Sequence, residues 1–120
     1  MYHMTQRFDL SLLDPDDPFE VDSMNWPHLY KHAFARPNGR PLTIELSDIL
    51  DAYVWGAALF YPADLGHGDA HWFLVTAIEN VVVTVPLAPA RSGDPTKCRP
   101  IGLYAASRSE QDQYRRDIQS

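Results

Sequence analysis

Between residues 22 and 32 the chain reads Asp-Ser-Met-Asn-Trp-Pro-His-Leu-Tyr-Lys-His, the densest run of side chains that can do chemistry. On a helix, at about 100° per residue, Asn25, His28 and His32 fall within an arc of roughly 60°, with Lys31 beside His28. Trp26, Leu29, Tyr30 and Ala33 form the adjoining apolar strip. Imidazole titrates near neutrality and can accept or donate a proton, and lysine can hold a phosphate or a developing negative charge. Two imidazoles, an amide and a cation on one strip suit cleavage of a phosphodiester. His28 and His32 also have the i, i+4 spacing of two metal ligands, with His67, His71 or Asp69 available as a third. The His-Glu-x-x-His pattern of zinc hydrolases is absent, and no metal is assigned. The bland alternative is that these histidines border the core and bond to backbone groups.

The spacing Asp-x-x-Asn-x-x-His-Leu-x-Lys-His resembles the opening helix of BrnT-like toxins, small ribonuclease-type toxins of prokaryotic toxin–antitoxin pairs. Asp22, Asn25, His28, Leu29, Lys31 and His32 fit, and Val21 stands where the family often has Trp. A weaker likeness lies in Arg99-Pro100-Ile101 followed by Ser107, Glu110 and Tyr114, so that the resemblance spans residues 21–116 around an insertion-like loop. It implies a compact fold related to RelE-type toxins and a metal-independent endoribonuclease that acts on messenger RNA, needs no cofactor and is neutralised by a cognate antitoxin. In the mechanism expected for such an activity here, His28 or His32 activates a ribose 2′-hydroxyl, and the other histidine or Tyr104 protonates the leaving oxygen. Lys31 and Arg99 hold the phosphate, while Asn25 and Arg108 contact the RNA. Tyr104 departs from the family, which tends to carry an arginine there; a phenol cannot replace a permanent positive charge. Arg108 is the nearest replacement cation. The rival reading is a non-catalytic interaction domain on the same scaffold, using an acidic arm and an aromatic surface to bind another protein.

A chain of 120 residues, 45% of them apolar, is long enough for one core and too short for a second domain. A net charge of −6 sets up an overall field that repels nucleic acid, so RNA binding would need a local basic patch. Candidates for that patch are Lys31, Arg36, Arg40, Lys97, Arg99, Arg108, Arg115 and Arg116. No apolar run approaches the roughly 20 residues that cross a bilayer, and Met1-Tyr2-His3-Met4 lacks a signal-peptide pattern. Cys98 is alone, which leaves no internal disulfide and fits a cytoplasmic protein. Its basic neighbours Lys97 and Arg99 would favour a thiolate, but no Cys–His partnership is visible. Gly-rich phosphate loops, Gly-x-Ser-x-Gly elbows and dinucleotide fingerprints are absent.

The elements that must position these residues follow from periodicity and punctuation. Residues 1–20, rich in Asp and Pro, read as an arm that Phe8, Leu10, Leu12 and Leu13 dock onto a single domain at 21–118. A first helix is predicted from Asn25, with Pro27 in its first turn, to a stop at Pro37-Asn38-Gly39. Thr43 then caps a second helix whose apolar face is Leu46, Ile49, Leu50, Tyr53 and Val54. Strands follow at 57–61, 71–78, 81–85 and 99–105, with Glu79-Asn80 as a two-residue turn and Pro86 and Pro89 ending the third. Ser107 and Glu110 form a capping box for a last helix to about Ile118. The expected fold is α+β: two N-terminal helices, an antiparallel four-stranded sheet and a C-terminal helix. Most of Trp26, Trp55, Trp72, Tyr53, Phe60, Tyr61 and Phe73 fall on the expected apolar faces.

Overall fold

A computed structural model describes residues 6–21, 31–66 and 68–120. Asn25 and His28, with the expected start of the first helix, lie outside the described residues. The part of that helix that is described is not helical. Lys31–Ala35 is a strand, β1, paired antiparallel with Pro41–Glu45, β2. The expectation of two N-terminal helices is therefore overturned, and the physical reason is visible in the turn. Pro37-Asn38-Gly39, read as a helix stop, closes a hairpin. Gly39 donates to the Arg36 carbonyl at 2.8 Å and takes φ +84°, and Arg36 donates to the Arg40 carbonyl at 2.9 Å. Proline at the first central position and glycine in the left-handed region make this a type I turn ending in a bulge. The period also changes: Leu42 and Ile44 are buried, while Pro41 and Thr43 are exposed.

The second expected helix exists as α1, Leu46–Val54, but Thr43 does not cap it. Glu45 does, in a capping box with Asp48 that gives the first turn its acidic group. Leu46 and Ile49 are buried as expected, whereas Val54 and Trp55 are exposed. The sheet has five strands rather than four: β3 (Leu59–Pro62), β4 (Trp72–Ile78), β5 (Val81–Pro89), β6 (Cys98–Pro100) and β7 (Tyr104–Ala105). The expected strand at 99–105 is thus two short pieces, both on the same edge of β5. Pro86 does not end β5. Pro86 accepts from Ile101 N on that edge at 2.9 Å, so its missing N–H points into the gap between β7 and β6, where no ladder bond is lost.

The β4–β5 hairpin is as expected, with Ile78 opposite Val81 and Leu74 opposite Val85. Glu79 and Asn80 both take positive φ, 47° and 68°, the signature of a type I′ turn. Pairing places side chains on two faces. On the inner face Leu74, Val81, Val83, Val85, Leu87 and Cys98 pack with Leu42, Ile44, Leu46 and Ile49 from the β1–β2 hairpin and α1. On the outer face Val75 and Val82 meet Tyr114 of the last helix, α2 (Arg108–Ile118). Ser107 and Glu110 cap α2 reciprocally, and the free Glu110 oxygen accepts from Thr84 Oγ1 at 3.2 Å. The result is three layers.

The arm is built into this frame. Leu13 and Phe19 are buried in the inner-face core, and Phe19 bridges Cys98 in parallel. Backbone bonds of 2.7 Å run from Cys98 N to Pro18 O and from Glu20 N to Cys98 O. Leu12, expected to dock, is exposed instead. No helix among the described residues is long and apolar enough to cross a membrane.

Candidate functional site

Of the strip expected between residues 22 and 32, only Lys31 and His32 are described, and both lie on a strand rather than a helix. Lys31 begins β1, is exposed, and pairs with Glu45 at 3.6 Å. His32 lies across from Ile44 and meets Phe34 edge-on at 6.4 Å. Both belong to the hairpin that covers the inner face. Arg99 and Tyr104 lie across from Ala88 and Thr84 of β5, four residues apart on one strand and hence on the outer face. Arg108 is an exposed residue at the start of α2. Among the described residues no hydrogen bond, ion pair or ring contact joins Lys31 or His32 to Arg99, Tyr104 or Arg108. Burial, with the nearby Glu110 carboxylate, raises the Tyr104 phenol above its ordinary value. Burial likewise pushes the Cys98 thiol up to about 12, so its basic sequence neighbours do not make it a thiolate.

Arg99 belongs to a different constellation. Where β4 begins and β5 and β6 meet their connecting loop, an open cleft of about 490 Å³ is lined by Leu65, Gly68, Asp69, His71, Pro89, Arg91 and Arg99. Antiparallel pairing of β5 with β6 explains why two arginines line one cleft, because Arg91 lies near the start of the loop that joins these strands and Arg99 just past its end. Glu20 fixes the loop, accepting from Arg91 N at 2.7 Å, Ser92 N at 3.3 Å and Ser92 Oγ at 2.6 Å. These bonds, chiefly that from the Ser92 hydroxyl, hold the Glu20 carboxyl below its ordinary range, and the Arg99 charge adds to the effect. Arg99 itself is half-buried, and its buried Nε has no hydrogen-bond acceptor among the described residues. A buried donor left without an acceptor carries a desolvation cost.

His71 is held in one protonation state by the arm. The Phe8 backbone N–H donates to His71 Nδ1 at 3.0 Å, and the Phe8 ring stacks on the imidazole at 5.6 Å. Trp72 Nε1–H donates to the Phe8 carbonyl at 3.0 Å, and Arg7 donates to Ala63 O at 2.6 Å while lying 5.8 Å from the Trp72 ring centre. An imidazole that accepts at Nδ1 is neutral and carries its proton on Nε2. Burial first, then the Arg7 charge, lowers the His71 pKa from its ordinary value. His71 is thus a fixed N–H donor rather than a proton shuttle. It has a consequence for stability. A histidine whose folded pKa is depressed contributes stability above its unfolded value of about 6.5, and loses it as pH falls through that value towards the folded one. Arg7 is the charge that acts on the ring, and Arg91, Arg99 and Asp69 are the charged residues that line the same cleft. Wild-type melting temperature is expected to fall between pH 6.5 and 5 more than that of His71→Phe, which keeps an aromatic ring but cannot titrate. Parallel pH profiles for the two proteins would contradict this.

In the sequence, Asp69 and His71 stand out chemically only as possible metal ligands, His71 also opening the expected strand 71–78, and Arg91 only as a loop residue. The usable signal was one arginine early in the loop between expected strands and another just after it. Among the described residues no group of three or more His, Cys, Asp or Glu side chains converges as a metal site. Comparison with protein-family models, with curated proteins and with solved structures finds no match for this chain.

Proposed function

We propose that this chain is a non-catalytic binding domain whose cleft receives the anionic group of a small ligand. The observation that carries the proposal is that Arg99, whose buried Nε has no acceptor among the described residues, lines one open cleft with Arg91 and a neutral His71. A guanidinium matches a carboxylate or phosphate through two parallel donors. The described lining offers no hydroxyl, thiol or amine nucleophile, and the His71 Nδ1 atom is already occupied. Those features favour binding over turnover. A cytoplasmic location is part of the same reading, supported by a lone, buried, unreactive cysteine. Titration calorimetry with inorganic phosphate at low ionic strength tests it. Wild-type protein is expected to bind and Arg99→Gln to bind at least about tenfold more weakly, the value of one charge-assisted pair. Equal affinities, or no heat with wild type, would overturn the proposal.

A second reading keeps the endoribonuclease of a toxin–antitoxin pair, with RNA as substrate and a cognate antitoxin as partner. It is favoured by one observation, that Arg99, the residue assigned to the scissile phosphate, does line an open cleft. Incubation with single-stranded RNA in EDTA tests it. Cleavage that is lost in His32→Ala and Arg99→Gln would support it, and intact RNA would remove it.

A further inference from the structure

The cleft carries both signs of charge. Asp69, exposed on the loop that follows β3, lines it together with Arg99 and has no ion-pair partner among the described residues. A carboxylate is a poor companion for an incoming phosphate or simple carboxylate, since like charges repel at close range. It suits a ligand that brings a cation as well. Leu65 and Pro89 add apolar lining beside the charged Asp69, Arg91 and Arg99, which suits an uncharged part of the ligand. Resting on the anion-binding reading above, we propose that the cleft takes an aliphatic α-amino acid in its zwitterionic form, carboxylate towards Arg99 and ammonium towards Asp69. His71 Nε2–H is the second donor available to the carboxylate. Such an arrangement would discriminate through the carboxylate of Asp69: an analogue without the ammonium leaves that group without a counter-charge and loses one charge-assisted bond.

The test uses a matched pair of probes, L-leucine and 4-methylpentanoate, which differ only by the ammonium group, with inorganic phosphate as the reference anion. Wild-type protein is expected to bind L-leucine at least about tenfold more tightly than 4-methylpentanoate. Asp69→Asn is expected to erase that preference while leaving 4-methylpentanoate and phosphate bound at least as well as before, because a local negative charge has been removed. Asp69 is exposed and has no hydrogen bond or ion pair among the described residues, so the variant is expected to melt with wild type. Wild-type protein that binds phosphate but shows no preference for L-leucine would overturn the amino-acid assignment alone. A preference that survives in Asp69→Asn would overturn the role of Asp69. Failure to bind any of the three probes would remove the anion-binding reading and this one with it.

Discussion

Tyr114→Ala is expected to release α2 from the sheet and to lower stability by about 3–5 kcal/mol, the usual cost of deleting a buried aromatic ring. Tyr114 is the buried side chain of that helix and packs with Val75, Val82 and Ala106 on the outer face. An isolated helix of 11 residues is too short to persist in water, so the loss should include its circular dichroism. The hydroxyl contributes little of this. It donates to Ala57 O at 2.8 Å, but Thr76 Oγ1 donates to the same carbonyl at 3.2 Å, so Tyr114→Phe leaves no orphaned acceptor. That variant is expected to cost about 1 kcal/mol. Urea midpoints at constant slope measure both, and equal midpoints for the two variants would show that α2 is not held by the ring.

Leu87→Ala is expected to cost about 2–5 kcal/mol. Leu87 has no exposed surface and lies on the inner face between Trp72 of β4 and Pro100 of β6. Its carbonyl accepts the His71 N–H at 2.8 Å, so the strand that fills the core also sets the backbone at the mouth of the cleft. A large loss of stability is therefore expected to accompany weaker phosphate binding. Leu12→Ala, at an exposed position of the arm, should stay within about 0.5 kcal/mol of wild type. Similar melting of Leu87→Ala and Leu12→Ala would contradict the burial pattern on which the inner-face core rests.

The β-rich centre and the C-terminal helix were legible because local and tertiary signals agree there. Branched residues flank Glu79-Asn80, and Ser107 with Glu110 announces a helix start that the folded chain uses in full. The first third misled because one signal supports two structures. A Pro-Asn-Gly cluster ends helices and closes hairpins alike, and only the partner strand decides. Lys31, His32 and Phe34 have spacings that suit either a helix face or a strand, and pairing with Glu45, Ile44 and Leu42 selects the strand. The cleft was hidden for another reason. Asp69, His71, Arg91 and Arg99 come from three separate stretches, and what joins them is strand register and the Phe8 contact, neither of which leaves a spacing in the sequence. Of the cleft residues Arg99 alone is an anion contact on the sequence reading, and two of the companions that reading gives it, Lys31 and His32, sit on the hairpin over the opposite face.

Residue-resolved amide spectra of the ¹⁵N-labelled protein, titrated with inorganic phosphate at low ionic strength, test the anion-binding cleft most directly. The expected result is a saturable shift confined to the amides around Gly68–His71, Pro89–Ser92 and Cys98–Arg99, with the β1–β2 hairpin unmoved and the shifts reversed by added salt. Shifts centred on Lys31 and His32, or no saturable shift at all, would contradict it.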